Sequence, residues 1–119
     1  MNSEELLHWY STEAEGYARI VSNREFDYKY EYTELNVYHC FEKLKAFRQF
    51  DRVLGIGSAF GDEFAPIVHK IKDLVILDPS EKFAACTSVQ GIPCRYVKPN
   101  SSGMLAFESN SFDLITCFA

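Results

Sequence analysis

The chain has 119 residues, a formal net charge of −5 and 47% hydrophobic residues, which allows one modest core and one domain. It carries no basic patch to grip a phosphate backbone, so nucleic acid is not an expected partner. No apolar run approaches the ~20 residues that span a membrane, and Met1-Asn2-Ser3-Glu4-Glu5 is too polar for a leader, so a cytoplasmic protein without membrane contact is expected.

In chain order, residues 3–22 read as a helix. Ser3 is its expected cap, Glu4 and Glu5 suit the positive end of its dipole, and Leu7, Tyr10, Ala14, Tyr17, Ala18 and Val21 form its stripe. Residues 23–30 read as a connection, and 31–49 as a second helix with Val37, Cys40, Phe41, Leu44 and Phe47 on one face. The aromatic residues of 1–50 are expected to pack as a helical layer on a sheet, while the alternation of Tyr28, Tyr30 and Tyr32 also suits partial exposure. Residues 1–50 thus read as a helical segment packing on a sheet expected within 51–119.

From Asp51 the pattern changes to short apolar runs alternating with helical stretches. Val53–Ile56 reads as a strand, 63–72 as a helix burying Phe64, Ile67, Val68 and Ile71, and Leu74–Leu77 as a second strand. Pro66 fits best in the first turn of a helix that starts at Asp62 or Glu63. Ser80 can cap a further helix carrying Phe83, Ala84 and Val89 and stopping at Gly91. Cys94–Val97 is a third strand, Lys98–Gly103 a polar loop, Asn110-Ser111 a turn and Phe112–Phe118 a fourth strand. Such alternation predicts an α/β fold with a parallel sheet and right-handed crossovers. The near-pure Val/Leu/Ile runs suit strands buried on both faces. Cys40, Cys86, Cys94 and Cys117 form no Cys-x-x-Cys pair and have no histidine cluster beside them, so reduced thiols and no metal site are expected. His8, His39 and His69 are scattered and suggest no general base.

Val53-Leu54-Gly55-Ile56-Gly57-Ser58-Ala59-Phe60-Gly61 is a strand running through a glycine loop into a helix, with backbone bare enough to admit a small ligand. About twenty residues on, Asp78 ends the second apolar run, where an acid can grip a ribose hydroxyl pair. It can alternatively serve the amides that open the next helix. A phosphate-gripping loop needs Gly-x-x-x-x-Gly-Lys-Ser/Thr, and no lysine stands there. A dinucleotide loop needs Gly-x-Gly-x-x-Gly, but the frame from Gly55 ends on Phe60 and the frame from Gly57 meets Ala59 and Asp62. A nucleoside ligand without phosphates fits the looser demand.

Val53 through Gly61 resembles the first motif, V-L-D-I-G-x-G-x-G, of class I S-adenosylmethionine-dependent methyltransferases. Leu77-Asp78-Pro79-Ser80 is similar to their second motif. Leu105-Ala106-Phe107-Glu108-Ser109-Asn110-Ser111-Phe112-Asp113-Leu114-Ile115 resembles their L-P-F-x-D-N-S-F-D-L-V. Tyr10-Ser11-Thr12-Glu13-Ala14-Glu15-Gly16-Tyr17 bears a fainter likeness to the Y-x-x-x-A-x-x-Y helix that precedes the fold. The resemblance covers 53–118 and implies a Rossmann-like sheet of about four strands in the order 3-2-1-4, preceded by two N-terminal helices. It implies S-adenosylmethionine as cofactor, a small-molecule methyl acceptor, and Gly55, Gly57, Ser58, Ala59, Gly61, Asp78, Pro79, Ser101, Ser102 and Cys117 as cofactor-binding positions.

The departures are specific. The family's acid in the first motif is Gly55 here, its middle glycine is Ala59, and Ser101-Ser102 stand where Asp-Ala often holds the adenine. The sequence stops at Ala119, where the family continues into the strands that usually carry the acceptor pocket, so a truncated fold without assigned catalytic residues is expected. The competing expectation is a non-enzymatic binding or assembly module that completes its sheet by homodimerising along the exposed fourth strand.

Overall fold

Short runs of β-branched residues and leucine make strands dominate from Phe50 onward. In the computed structural model, which describes residues 2–14, 29–102 and 105–118, β1 spans Phe50–Ile56, β2 Ile71–Leu77, β3 Ser88–Val89, β4 Ile92–Val97 and β5 Leu114–Thr116. They form a five-stranded sheet in the order β3-β4-β2-β1-β5. β1 pairs in parallel with β2 and β5, and β2 with β4, while β3 runs antiparallel to β4. The fold is therefore α/β with a mostly parallel sheet.

The sheet has five strands rather than the expected four. Gln90 and Gly91 sit at φ 50° and 81° and form the two-residue turn that returns Ser88–Val89 against Ile92–Pro93. Two successive left-handed residues are what a tight hairpin of the right twist requires. Val89, expected on a helix face, is therefore a strand residue, and only one 3-10 turn, Glu81–Phe83, stands in place of the expected helix. Ser80 does cap that turn, accepting from the Lys82 amide at 3.1 Å.

The helices differ in detail from what the periodicity suggests. Asn2, not Ser3, caps helix α1 (Ser3–Trp9), accepting from the Glu5 amide at 2.8 Å while the Glu5 carboxylate accepts from the Asn2 amide at 2.7 Å. A wider π-helical turn, Tyr10–Ala14, follows. The rest of the expected first helix and most of the connection after it lie outside the described residues. The expected helix 31–49 is found as α2 (Thr33–His39) and a 3-10 turn, Phe41–Leu44, because Cys40 leaves helical geometry at φ −130° and ψ −70°. Val37, Tyr38, His39, Cys40 and Phe41 are all indifferent helix formers, so nothing local resists that break. Phe41 is buried as expected of a helical layer, whereas Tyr32, Tyr38 and Phe47 stay exposed; Phe50 is buried as the first residue of β1.

The crossover from β1 to β2 is a 3-10 segment, Asp62–Lys70, with Pro66 inside it. Proline lacks the donor an α-helix would need there, and the tighter turn tolerates the loss. The segment runs straight into β2, so Ile71 opens a strand instead of closing a helix.

Side-chain alternation sends Val53, Leu74, Ile76 and Cys94 to one face of the sheet, against Phe41, Phe64 and Ile67. Leu54, Val75 and Leu77 face the other way, toward Phe107 and Phe112. Phe64, Leu54, Leu74, Ile76 and Val53 are fully buried, each contributing roughly 1.5–3 kcal/mol of transfer free energy. The return segment before β5 is tied down by Asp113. Its carboxylate accepts from the Asp51 and Arg52 amides at 2.6 and 3.1 Å, and its own amide donates to the Arg52 carbonyl at 2.9 Å. Regular pairing begins only after that clamp, so the expected strand Phe112–Phe118 contracts to Leu114–Thr116. No helix among the described residues is long and apolar enough to cross a membrane.

Candidate functional site

The loop from Gly57 to Gly61 leaves the carboxyl end of β1 on left-handed backbone. Gly57, Ala59 and Gly61 have φ of 68°, 47° and 71°. Alanine in that region carries a strain of order 1 kcal/mol, and what holds it there is visible. The Ala59 amide donates to Asp78 Oδ2 at 3.1 Å, and the Ala59 carbonyl accepts from the Tyr96 hydroxyl at 2.5 Å. The Gly57 amide donates to the Leu77 carbonyl at 2.8 Å and the Gly61 amide to the Ser58 carbonyl at 2.7 Å. Gln90 donates from Nε2 to the Gly61 carbonyl at 2.6 Å, joining the loop to the hairpin turn.

The glycines do different work. A Cβ on Gly55 would run into the Ser58 hydroxyl and lie 2.9 Å from the Phe64 ring, so its bare Cα makes room for the loop's own packing. A Cβ on Gly61 would lie 2.6 Å from Val89 Cγ1. Gly57 differs: nothing stands within 4 Å of where its Cβ would be, so it presents open backbone to solvent at the strand end.

Asp78, just past β2, is 8% exposed. Oδ1 accepts from the Ser80 amide at 2.9 Å while Oδ2 holds Ala59, so the acid braces both the loop and the start of the next turn. The capping role open from the sequence is therefore real.

Glu63, near the start of the 3-10 segment that follows the loop, is 5% exposed. Burial pushes its carboxyl up to about 6 from 4.5, helped by the charges of Asp62 and Asp78 and opposed by hydrogen bonds from the Ser58 hydroxyl and its own amide. The Tyr96 phenol is pushed up chiefly by burial, which keeps it neutral and a donor to Ala59. Phe60, Phe83 and Tyr96 stack beneath the loop, with Phe60 edge-on to Phe83 at 4.8 Å.

A cavity of about 330 Å³ opens at the carboxyl ends of β2 and β4. Pro79 and Glu81 line it from β2, Lys98 and Pro99 from β4, and Leu7, Tyr10 and Ser11 from the N-terminal helical segment. Lys98 pairs with Glu81 across it. Crevices of this kind, beyond the carboxyl ends of parallel strands, are where open α/β sheets take ligands.

Of the positions expected at the site, Gly55, Gly57, Ser58, Ala59, Gly61 and Asp78 meet in one loop cluster, and Pro79 leads from it into the cavity. Ser101, Ser102 and Cys117 are exposed and do not line that cavity. Ser102 instead turns back on Asn100, whose Oδ1 accepts from its amide at 3.1 Å. Glu63, Tyr96 and Thr116 were not singled out in the sequence. Thr116 is 4% exposed and is the register partner of Gly55, yet its buried hydroxyl has no hydrogen-bond partner among the described residues. Its only signal was its place near the end of the last strand. Comparison with protein-family models, curated proteins and solved structures finds no match for this chain.

Proposed function

We propose that this chain binds S-adenosylmethionine and forms the cofactor-binding part of a class I methyltransferase acting on a small molecule. The observation that carries the reading is the left-handed loop Gly57–Gly61, open at Gly57 and braced at Ala59 by the acid that follows β2. The parallel strands β4-β2-β1-β5 make a Rossmann-like half sheet in this reading, with the loop at the centre of its carboxyl edge. Two further features fit a ligand there: the open space over Gly57 and the hydroxyl of Thr116 beside β1, which has no hydrogen-bond partner among the described residues.

When bound, the sulfonium supplies an electrophilic methyl group. Displacement at that carbon demands alignment and exclusion of water more than proton transfer. This chain's part is accordingly binding. Gly57 lets the ligand approach the backbone, Asp78 accepts from the ribose hydroxyls, and the cavity between Pro79, Pro99 and Tyr10 shelters the base.

Thermal melting with and without S-adenosylmethionine tests the reading. At about a hundred times its dissociation constant the ligand adds roughly 2.7 kcal/mol to the unfolding free energy. Gly57→Val, which fills the open space, should abolish the gain. No shift at millimolar cofactor would sink the proposal.

The second reading, a binding or assembly module, draws on β5. This strand ends the sheet and leaves Ile115 55% exposed. Light scattering after size exclusion distinguishes a dimer paired along β5 from a monomer.

A further inference from the structure

Another cavity, of about 350 Å³, lies on the face of the sheet that carries Leu54, Val75 and Leu77. Arg52 from β1, Asp73 and Val75 from β2, Arg95 from β4 and Thr87 ahead of the hairpin line it. Register explains why they meet. Arg52 stands opposite Asp73 and Arg95 opposite Val75, so side-chain alternation sends all four to one face. The two arginines come from the strands on either side of β2, with Asp73 between them and the buried Val75 as floor.

Strand spacing keeps these charges from cancelling one another, and Asp73 forms an ion pair with neither arginine. Arg52 instead lies over the Phe112 ring, 5.0 Å from its centroid, which steadies its fork. Thr87 is held too, its carbonyl accepting from the Cys94 amide at 3.0 Å. The paired N–H groups of a guanidinium match a carboxylate, and a carboxylate in turn matches an ammonium. The cavity therefore offers two places for an anionic group and one for a cationic group, over a small apolar floor. Its size suits a small molecule.

We propose that this cavity is a binding site for an acidic α-amino acid, its two carboxylates held by Arg52 and Arg95 and its ammonium by Asp73. The site is separate from the loop Gly57–Gly61. Asp73 stands near the amino end of β2 and Asp78 beyond its carboxyl end, about 16 Å apart along extended chain. The inference therefore does not rest on the S-adenosylmethionine reading, and either can fail alone.

NMR titration of the full chain with L-glutamate tests it, because amide shifts report where a ligand sits. L-Glutamate should move the amides of Arg52, Asp73, Thr87 and Arg95 and leave those of Gly57 and Ala59 in place. Glutarate, which lacks the ammonium, and γ-aminobutyrate, which lacks one carboxylate, should each bind about fivefold more weakly, the effect of one exposed charged contact. Arg52→Gln and Arg95→Gln, at exposed positions, should each weaken L-glutamate by about the same factor, and the same spectra show that the variants are folded. Asp73→Asn should erase the preference for glutamate over glutarate, and Gly57→Val should leave the titration unchanged. No shifts with millimolar L-glutamate, or shifts centred elsewhere, would overturn the site. Glutarate or inorganic phosphate binding as tightly as L-glutamate would overturn the amino-acid assignment, as would unchanged affinity in Arg95→Gln.

Discussion

Replacing Glu63 by Gln should change how stability of the free protein depends on pH. Raising the Glu63 carboxyl from 4.5 to about 6 disfavours its charged form in the folded state by about 2 kcal/mol. The unfolded chain ionises this group first. The contribution of Glu63 is therefore fully present below pH 4.5 and lost as pH rises through about 6. Glutamine keeps the shape and an acceptor for the Ser58 hydroxyl but cannot ionise. The difference in unfolding free energy, variant minus wild type, should grow by about 2 kcal/mol between pH 4 and pH 7. Its absolute offset depends on where the amide nitrogen finds an acceptor, so the slope is the quantity that decides. Urea unfolding of both proteins at four or five pH values measures it directly. A constant difference across that range, or one that grows toward acid pH, would refute the account of Glu63 as a buried, charge-averse carboxyl.

Gly55→Ala should destabilise by roughly 1–3 kcal/mol, because the added methyl meets Ser58 and the Phe64 ring; urea midpoints of variant and wild type measure it. Thr116→Val should stabilise the free protein by about 1 kcal/mol, since it removes a buried hydroxyl with no partner among the described residues, and should weaken S-adenosylmethionine binding if that hydroxyl meets the ligand. Thermal melting and calorimetry on one preparation read both effects. Asp113→Ala should lower the melting temperature by an amount equivalent to about 1 kcal/mol, because the Asp51 and Arg52 amides lose their charged acceptor where water can partly replace it.

The runs around Leu54 and Val75 were legible as parallel strands because nearly uninterrupted Val/Leu/Ile has few other uses in a short segment. The loop cluster was legible too, since Gly57, Gly61 and Asp78 occupy positions set by backbone geometry and not by packing. The crossovers were not. Pro66 and the Gln90-Gly91 turn decide between α-helix, 3-10 turn and hairpin through a single missing donor and a pair of φ angles, which apolar periodicity does not register. β5 was overread because Phe112 and Phe118 look like strand residues, whereas Phe112 sits under Arg52 at 5.0 Å in the return segment. Glu63 stayed hidden for a different reason. An acid at the start of a helical pattern reads as a dipole partner, and only the fold reveals that Ser58 and Phe64 fill the space over Gly55 beside it.

The 3-10 crossover has a consequence for the order in which the molecule opens. Nine residues of 3-10 turn have poorer hydrogen-bond geometry than an α-helix of equal length. Such a segment persists mainly because Phe64 and Ile67 are seated on the sheet. Its amides should therefore exchange with solvent deuterium through local openings, while those of Val53 and Leu74 wait for global unfolding. The candidate ligand loop is hinged on this first segment to let go, so a bound molecule would announce itself as slowed exchange at 62–70 well before it altered the sheet.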